Sequence, residues 1–168
     1  MIKAICFDLD GVYFTEAGKK GYERRLLELS PKSPEEVREF IYNSKATRDH
    51  HLGLLSIDEY LNEMNEALEV NLDFGVFKEI YTDYYEVNPE IKEVILDLKV
   101  RGYIICACSN ISESRIKALQ EKFGFFSDFD ALVFSFKERV FKPDQKIFEA
   151  LVREAGCLPE ELVYADDN

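Results

Sequence analysis

Four short apolar segments, each followed directly by polar residues, constrain the fold of this 168-residue chain more than any other feature. They occupy residues 2–7, 103–108, 131–136 and 162–165. Each is apolar almost throughout instead of alternating, a pattern typical of parallel strands that are covered on both faces. Amphipathic helical patterns lie between the segments, at 89–102, 117–123 and 145–155. The sequence therefore predicts an α/β fold, with a Rossmann-like parallel sheet covered by helices.

The stretch between the first two strands is roughly 90 residues long, far more than a single crossover requires. Apolar residues recur there at helical spacing in several places: Tyr22 to Leu29, Val37 to Ile41, Ile57 to Leu68 and Phe77 to Tyr84. Capping boxes begin two of these helices, at Ser33 with Glu36 and at Ser56 with Glu59, and Pro34 occupies a favoured first helical position. We therefore expect an all-helical cap of about four helices at 15–88. It would be inserted after the first strand of a catalytic core formed by 1–14 and 89–168.

The charge balance narrows the class of ligand. Lys and Arg total 21 against 33 Asp and Glu, a net charge of -12, so the long-range field repels phosphate-bearing polymers. Nucleic acid is not an expected partner, whereas a small phosphorylated metabolite is compatible if a bound cation and a well-placed Lys reverse the potential locally. The N-terminus lacks a signal-peptide pattern, and no apolar run reaches the ~20 residues of a membrane helix. We expect a cytoplasmic protein with no membrane partner.

The cysteines are Cys6, Cys106, Cys108 and Cys157, and they form no Cys-x-x-Cys pair and no Cys/His cluster. This spacing argues against a zinc site and against a disulfide framework. Three of them lie in strand-like segments, so we expect buried, reduced thiols that behave as small apolar side chains.

Polar residues of a particular kind follow each predicted strand. They are Asp8-Leu9-Asp10-Gly11 after the first, Ser109-Asn110 after the second, Lys142-Pro143-Asp144 after the third and Asp166-Asp167-Asn168 after the fourth. Ligands of open α/β sheets bind at the carboxyl ends of the strands, so these residues are expected to share one site. Taken singly each motif is weak, because Asp-Gly is often a plain turn and Lys-Pro-Asp is often a loop into a helix cap. The ordered set is far more specific than its parts.

With this order and spacing, the chain resembles the haloacid dehalogenase-like superfamily, in particular its phosphatase-like members with a helical cap after the first strand. The resemblance covers essentially the whole chain. It implies a phosphohydrolase that cleaves a small-molecule phosphate monoester with Mg²⁺ as cofactor. Proteins of this kind continue past the fourth motif strand with a helix and usually an edge strand. The C-terminal edge of the sheet is therefore expected to be truncated and exposed, which would favour self-association.

The resemblance assigns the covalent chemistry to the first strand end. It makes Asp8 the nucleophile that attacks phosphorus and forms an aspartyl-phosphate, which splits one difficult hydrolysis into two displacements. It makes Asp10 the general acid and base, with its backbone carbonyl also binding the magnesium ion.

The resemblance also implies that residues at the other strand ends bind the phosphoryl group and the metal ion. Ser109 would donate to the transferring phosphoryl oxygens, and Asn110 would orient the bound group. Lys142 would neutralise charge on the nucleophile and the phosphoryl oxygens, as the one cation of the site. Asp166 would hold Mg²⁺ together with Asp8, and Asp167 would bind it through water or position Lys142.

Alternatives on the same scaffold are a haloacid dehalogenase, a phosphomutase and a non-catalytic binding descendant. Dehalogenases of this kind typically lack an acidic residue two positions after the nucleophile, so Asp10 argues against that activity. A phosphomutase would retain its phosphorylated sugar intermediate instead of releasing the product. A non-catalytic descendant would be expected to have lost the nucleophile or Lys142, and both are present.

Several cap residues also invite a functional interpretation. We expect His50 and His51 to be solvated, because neighbouring positions point in different directions and no carboxylate pattern accompanies them. The cations that could reach a substrate from the cap are Arg24, Arg25, Lys45 and Arg48, although charged helix positions are more often solvated. The tyrosines Tyr81, Tyr84 and Tyr85 fit a helical stripe and are predicted to be core instead of a ligand cage.

Overall fold

The computed structural model describes residues 1–15 and 17–167, and in these residues helices surround a single sheet. The strands are β1 (Ala4–Phe7), β2 (Ile104–Ser109), β3 (Ala131–Phe134) and β4 (Leu162–Ala165). The helices of the insertion are α1 (Ala17–Leu29), α2 (Pro34–Asn43), α3 (Lys45–His51), α4 (Ile57–Leu68) and α5 (Phe74–Thr82). The remaining helices are α6 (Pro89–Val100), α7 (Glu113–Phe123), α8 (Ser135–Glu138) and α9 (Gln145–Ala155).

The sheet is parallel and has the order β3-β2-β1-β4. Cys6 aligns with Cys106 on one side of β1 and with Tyr164 on the other, so three strand ends reach the same edge. The predicted α/β fold with a parallel sheet is confirmed. The third strand is shorter than the predicted 131–136, because the chain turns at Ser135 into the single turn of α8.

The two faces of the sheet are covered by different apolar clusters. Alternate residues of β2 belong to different clusters. Ile105 and Ala107 are part of a cluster that extends into the insertion, whereas Cys106 and Cys108 pack with α9. The pattern of α9 explains this packing, because its buried residues recur at helical spacing and Asp144 caps its first turn. All four cysteines are free, as expected, and burial raises the pKa of the Cys106 and Cys108 thiols to about 12.

The insertion contains one helix more than the expected four. The additional helix is α3, which sequence reasoning missed because its seven residues, Lys-Ala-Thr-Arg-Asp-His-His, carry no apolar stripe. Ser44 caps it by accepting a hydrogen bond from the Thr47 N–H. Both predicted capping boxes, at Ser33 and Ser56, are confirmed. The boundary proposed between core and cap stays a prediction.

Two short backbone segments tie the insertion to the sheet. The Thr15 N–H donates to the Glu86 carbonyl (2.9 Å), and the Asn88 N–H donates to the Tyr13 carbonyl (2.8 Å). Phe14, fully buried between these bonds, packs edge-on against Tyr85. The insertion therefore leaves and rejoins the core within hydrogen-bonding distance, directly above the end of β1. Within the described residues no helix combines the length and apolar character needed to cross a membrane.

Candidate active site

Asp8 is the central group of the site at the carboxyl edge of the sheet. It follows β1 directly and is 6% exposed, and its backbone N–H donates to the Ala165 carbonyl of β4 (2.9 Å). Its Oδ1 accepts from the Leu9 N–H (2.7 Å), and its Oδ2 lies 2.8 Å from the Lys142 Nζ. Burial raises the pKa of Asp8, although Lys142 and the hydroxyl of Ser109 favour the ionised form. The carboxylate is therefore fixed and surrounded by donors.

Lys142 is buried against two carboxylates. Its Nζ lies 2.8 Å from Asp166 Oδ2 as well as from Asp8, and it donates to the Tyr164 hydroxyl at 2.7 Å. Burial works to lower the pKa of Lys142, but the two carboxylates outweigh it and raise that pKa. The ammonium form is thus retained at neutral pH, where it neutralises charge at the carboxyl edge.

Asn110 holds the backbone of Lys142 in this arrangement. The Asn110 Oδ1 accepts from the Lys142 N–H (2.8 Å), and the Asn110 amide donates to the Lys142 carbonyl (3.2 Å). This pair of bonds joins the end of β2 to the loop after β3. In this structure Asn110 therefore positions the cation, in addition to lining the adjoining cavity.

Three carboxylates form a group that suits a divalent cation. Oxygens of Asp8, Asp166 and Asp167 all lie within 4.8 Å of one another. Hard oxygen donors that leave room for water are the ligands Mg²⁺ prefers, so these residues fit the ion implied by the sequence. Gly11 leaves room for the Asp167 side chain of this group. Its φ is +80°, and a Cβ at this position would lie 2.2 Å from Asp167 Oδ2. Asn168, which extends this acidic motif in the sequence, lies outside the described residues.

The Asp10 side chain contacts Arg115 and is not one of the three carboxylates of that group. The Arg115 guanidinium lies 2.8 and 2.9 Å from the two Asp10 oxygens, and the Tyr85 hydroxyl donates to Oδ1 at 3.1 Å. Arg115 is only 8% exposed, and its guanidinium carbon lies 4.5 Å from the Tyr81 ring centroid and 5.0 Å from that of Tyr85. The expectation that Lys142 is the one cation of the site is wrong, because a second buried cation contacts the candidate acid.

Sequence reasoning missed both Arg115 and Tyr164. Arg115 lies in the first turn of α7, where a charged residue ordinarily faces water, and no motif distinguishes it. Tyr164 lies within an apolar strand, so its hydroxyl gave no signal either. A parallel pairing of β1 with β4 places it beside Lys142, and that neighbour relation exists only in three dimensions.

A cavity of about 170 Å³ adjoins Asp10 between the sheet edge and the insertion. Aromatic side chains of the insertion form much of its wall, among them Tyr22, Tyr60, Phe77, Tyr81 and Tyr85. Tyr81 and Tyr85 are buried, as predicted, and they also line the cavity with their rings 6.2 Å apart. The distinction between core and ligand wall therefore does not hold for these two residues.

The expectation of solvated histidines is wrong. His50 is 4% exposed, and its ring nitrogens bond to the Leu55 carbonyl (3.0 Å) and to the Ser114 hydroxyl (2.9 Å). His51 also lines the cavity, and burial together with the charge of Arg115 lowers its pKa to about 3. Both belong to α3, the helix that the sequence did not reveal.

The other cations singled out in the insertion are directed elsewhere. Arg24 and Arg25 are close to Glu28, and Lys45 pairs with Asp49. Arg48 is exposed and lies over the Phe141 ring, at the margin of a cleft that also includes Asn110. Of the four, only Arg48 is near the site.

The parallel sheet, the helical insertion and the cluster of carboxylates and Lys142 at the carboxyl edge define an α/β fold with a candidate active site. A family model described as a haloacid dehalogenase-like hydrolase matches residues 2–168. The chain belongs to the haloacid dehalogenase-like hydrolase family, which confirms the resemblance noted from the motifs.

Relatives and solved structures agree with this assignment. The chain is 25% identical to a glyceraldehyde 3-phosphate phosphatase of Methanothermobacter thermautotrophicus, over 100% of this chain and 78% of that protein. It is 21% identical to a phosphorylated carbohydrates phosphatase of Thermotoga maritima, over 99% of this chain and 77% of that protein. A family enzyme from Bacteroides thetaiotaomicron, solved with magnesium and inorganic phosphate, superimposes with a TM-score of 0.79. The superposition with the Bacteroides thetaiotaomicron enzyme covers 100% of this chain and 86% of that one. Because the two sequences are 18% identical, this similarity shows that the two proteins share a fold.

Proposed function

We propose that this protein is a magnesium-dependent phosphohydrolase that cleaves a small-molecule phosphate monoester through an aspartyl-phosphate on Asp8. The observation that carries the proposal is the buried Asp8 carboxylate, held by Lys142 within a group of carboxylates that suits Mg²⁺. Two relatives named as phosphatases of small phosphorylated compounds support the choice of substrate class.

In the first displacement, a carboxylate oxygen of Asp8 attacks phosphorus while the bond from phosphorus to the leaving oxygen breaks. Asp10 enters the cycle protonated and gives its proton to the leaving oxygen, so a neutral alcohol departs. Lys142 and the Ser109 hydroxyl stabilise charge on the phosphoryl oxygens. Mg²⁺, held by Asp8, Asp166 and Asp167, would supply the further positive charge that brings a phosphate dianion to a carboxylate.

In the second displacement, water attacks the phosphorus of the aspartyl-phosphate and Asp10 takes the proton of that water. The products are inorganic phosphate and the free Asp8 carboxylate, which balances the cycle. Arg115 and Tyr85 contact the Asp10 carboxyl group and hold its side chain in place.

A leaving-group comparison tests this assignment. Wild-type protein should hydrolyse an aryl phosphate only when Mg²⁺ is present, and chelation should abolish the activity. Asp10→Asn should lose far more activity on an alkyl ester than on an activated aryl ester, because an activated leaving group needs less protonation. Equal losses on both esters would remove Asp10 from the acid role. Hydrolysis that continues after chelation would contradict the metal assignment.

A further inference from the structure

Tyr164 places its hydroxyl within the carboxylate and lysine cluster at the sheet edge, although its strand, β4, is apolar. The hydroxyl oxygen lies 2.7 Å from the Lys142 Nζ, and the hydroxyl donates to the Cys108 carbonyl at 3.0 Å. The Asp166 carboxylate also interacts with this hydroxyl. A tyrosine hydroxyl has a single proton to donate, so a lone pair of its oxygen is left to accept from Lys142. The hydroxyl is therefore a neutral acceptor for the ammonium group.

Contacts other than Lys142 fix the Tyr164 side chain. Its ring packs edge-on against Phe148 of α9, with the ring centroids 5.8 Å apart. Tyr164 aligns with Cys6 of β1, and its hydroxyl reaches past that strand to the Cys108 carbonyl of β2. Because packing holds the ring and a backbone carbonyl holds the hydroxyl, the oxygen has a defined position without the lysine. It can therefore direct the ammonium group.

The Lys142 ammonium group has three N–H donors, and the described residues offer it three oxygens. These are Asp8 Oδ2 and Asp166 Oδ2, each at 2.8 Å, and the Tyr164 hydroxyl. The two carboxylates also belong to the group that suits Mg²⁺, and the bonding of Asp8 changes when it attacks phosphorus. Of the three contacts, the one with Tyr164 is thus the contact that the proposed chemistry leaves unchanged.

We propose that Tyr164 is a positioning residue whose hydroxyl holds the Lys142 ammonium group in place during both displacements. A lysine ammonium is a point charge on a flexible stem, so its charge is aimed only where its acceptors fix it. Tyr164 acts through Lys142, whose charge stabilises the phosphoryl oxygens, and does not itself contact the reacting atoms. This inference rests on the proposed function, in which Lys142 has that role.

Steady-state kinetics of Tyr164→Phe with Mg²⁺ test this role, because the ring stays and only the hydroxyl is lost. We expect kcat to fall about ten- to a hundredfold, as for one hydrogen bond to a charged group, while KM changes by less than about threefold. The loss should be equal on an alkyl and an aryl phosphate, since Lys142 acts on the phosphoryl oxygens. An unchanged kcat, or a loss confined to the alkyl ester, would overturn the proposal.

Tyr13→Phe is the matched control. Tyr13 is fully buried and donates its hydroxyl proton to Asp128, which also pairs with Lys92. The variant therefore removes a buried hydroxyl from another contact with a carboxylate and a lysine, outside the candidate site. We expect a lower melting temperature in both variants but a lower kcat in Tyr164→Phe alone. A similar fall of kcat in Tyr13→Phe would show that lost stability lowers the rate, and would overturn the positioning role.

The ammonium protons of Lys142 give a measurement that does not depend on catalysis. In ¹⁵N-lysine-labelled protein without Mg²⁺, the Lys142 ammonium signal is assigned by its loss in Lys142→Met. Its protons should exchange with water about tenfold faster in Tyr164→Phe than in the wild type, and at the wild-type rate in Tyr13→Phe. Faster exchange in Tyr164→Phe, with no phosphate hydrolysed by the wild type, would uphold the positioning of Lys142 and refute the catalytic proposal. Unchanged exchange in a protein that hydrolyses phosphates would leave the catalytic proposal standing and overturn the role of Tyr164.

Discussion

Replacement of Lys142 by Met should reveal how strongly the carboxylates at the sheet edge depend on one cation. Met matches the length of the side chain but removes the charge. Lys142 lies 2.8 Å from both Asp8 and Asp166, and the three groups are largely buried. Without it, two buried carboxylates face each other and Asp167 with no cation between them.

The magnitude follows from that geometry. Removal of one partner of a buried ion pair costs about 3–5 kcal/mol, because the remaining charge is desolvated without compensation. For a chain of this length, about 2–4 °C of melting temperature corresponds to each kcal/mol, so the midpoint should fall by roughly 6–20 °C. The freed carboxylates should bind Mg²⁺ more tightly, and saturating Mg²⁺ should restore part of the lost stability.

Thermal unfolding followed by circular dichroism, with chelator and then with Mg²⁺, measures both effects. Lys146→Met is the matched control, since Lys146 is exposed on α9 and its loss should change stability by less than about 0.5 kcal/mol. If Lys142→Met were as stable as Lys146→Met in chelator, the buried ion pairs would not contribute as reasoned. Weaker Mg²⁺ binding in Lys142→Met would show that the lysine does not compete with the metal ion.

Gly11→Ala and Gly102→Ala should each cost about 1–2 kcal/mol of stability, because both glycines have positive φ, but only Gly11→Ala should weaken Mg²⁺ binding in calorimetry. A Cβ at Gly11 displaces Asp167, whereas one at Gly102 meets nothing within 4 Å, so equal Mg²⁺ affinities would refute the support role of Gly11. The pKa of His51 is about 6.5 in the unfolded chain and about 3 in the native protein. The unfolded state therefore binds a proton more readily between these pH values, and the free energy of unfolding should fall as the pH falls through them. At about pH 4.5 this amounts to about 3 kcal/mol, and urea midpoints should show a smaller loss in His51→Gln; an identical loss would contradict it.

The sheet was predictable because its strands are short, apolar and covered on both faces, so their composition alone distinguishes them from their surroundings. The carboxyl ends of β1, β2 and β4 could be placed together for the same reason, and the structure brings Asp8, Ser109, Lys142 and Asp166 into contact there. A parallel sheet directs all its strand ends to one edge whatever the details of packing.

Residues whose burial depends on contacts with distant parts of the chain could not be predicted from the sequence. The helix α3 forms by a Ser44 cap and contacts with its neighbours, and its own sequence lacks an apolar stripe. Arg115 and His50 are polar residues buried through partners far away in the chain, Asp10 and Ser114. Local sequence ordinarily assigns such residues to a solvated surface, and only the tertiary contacts show that they line a cavity.

The most direct test of the covalent mechanism is the intact mass of the protein after incubation with acetyl phosphate and Mg²⁺, followed by an acid quench. We expect Asp10→Asn to gain the mass of one phosphoryl group and to retain it, since the second displacement lacks its base. The double variant with Asp8→Asn should gain nothing. Phosphorylation that persists without the Asp8 carboxylate, or full turnover by Asp8→Asn alone, would contradict the assignment of Asp8 as the nucleophile.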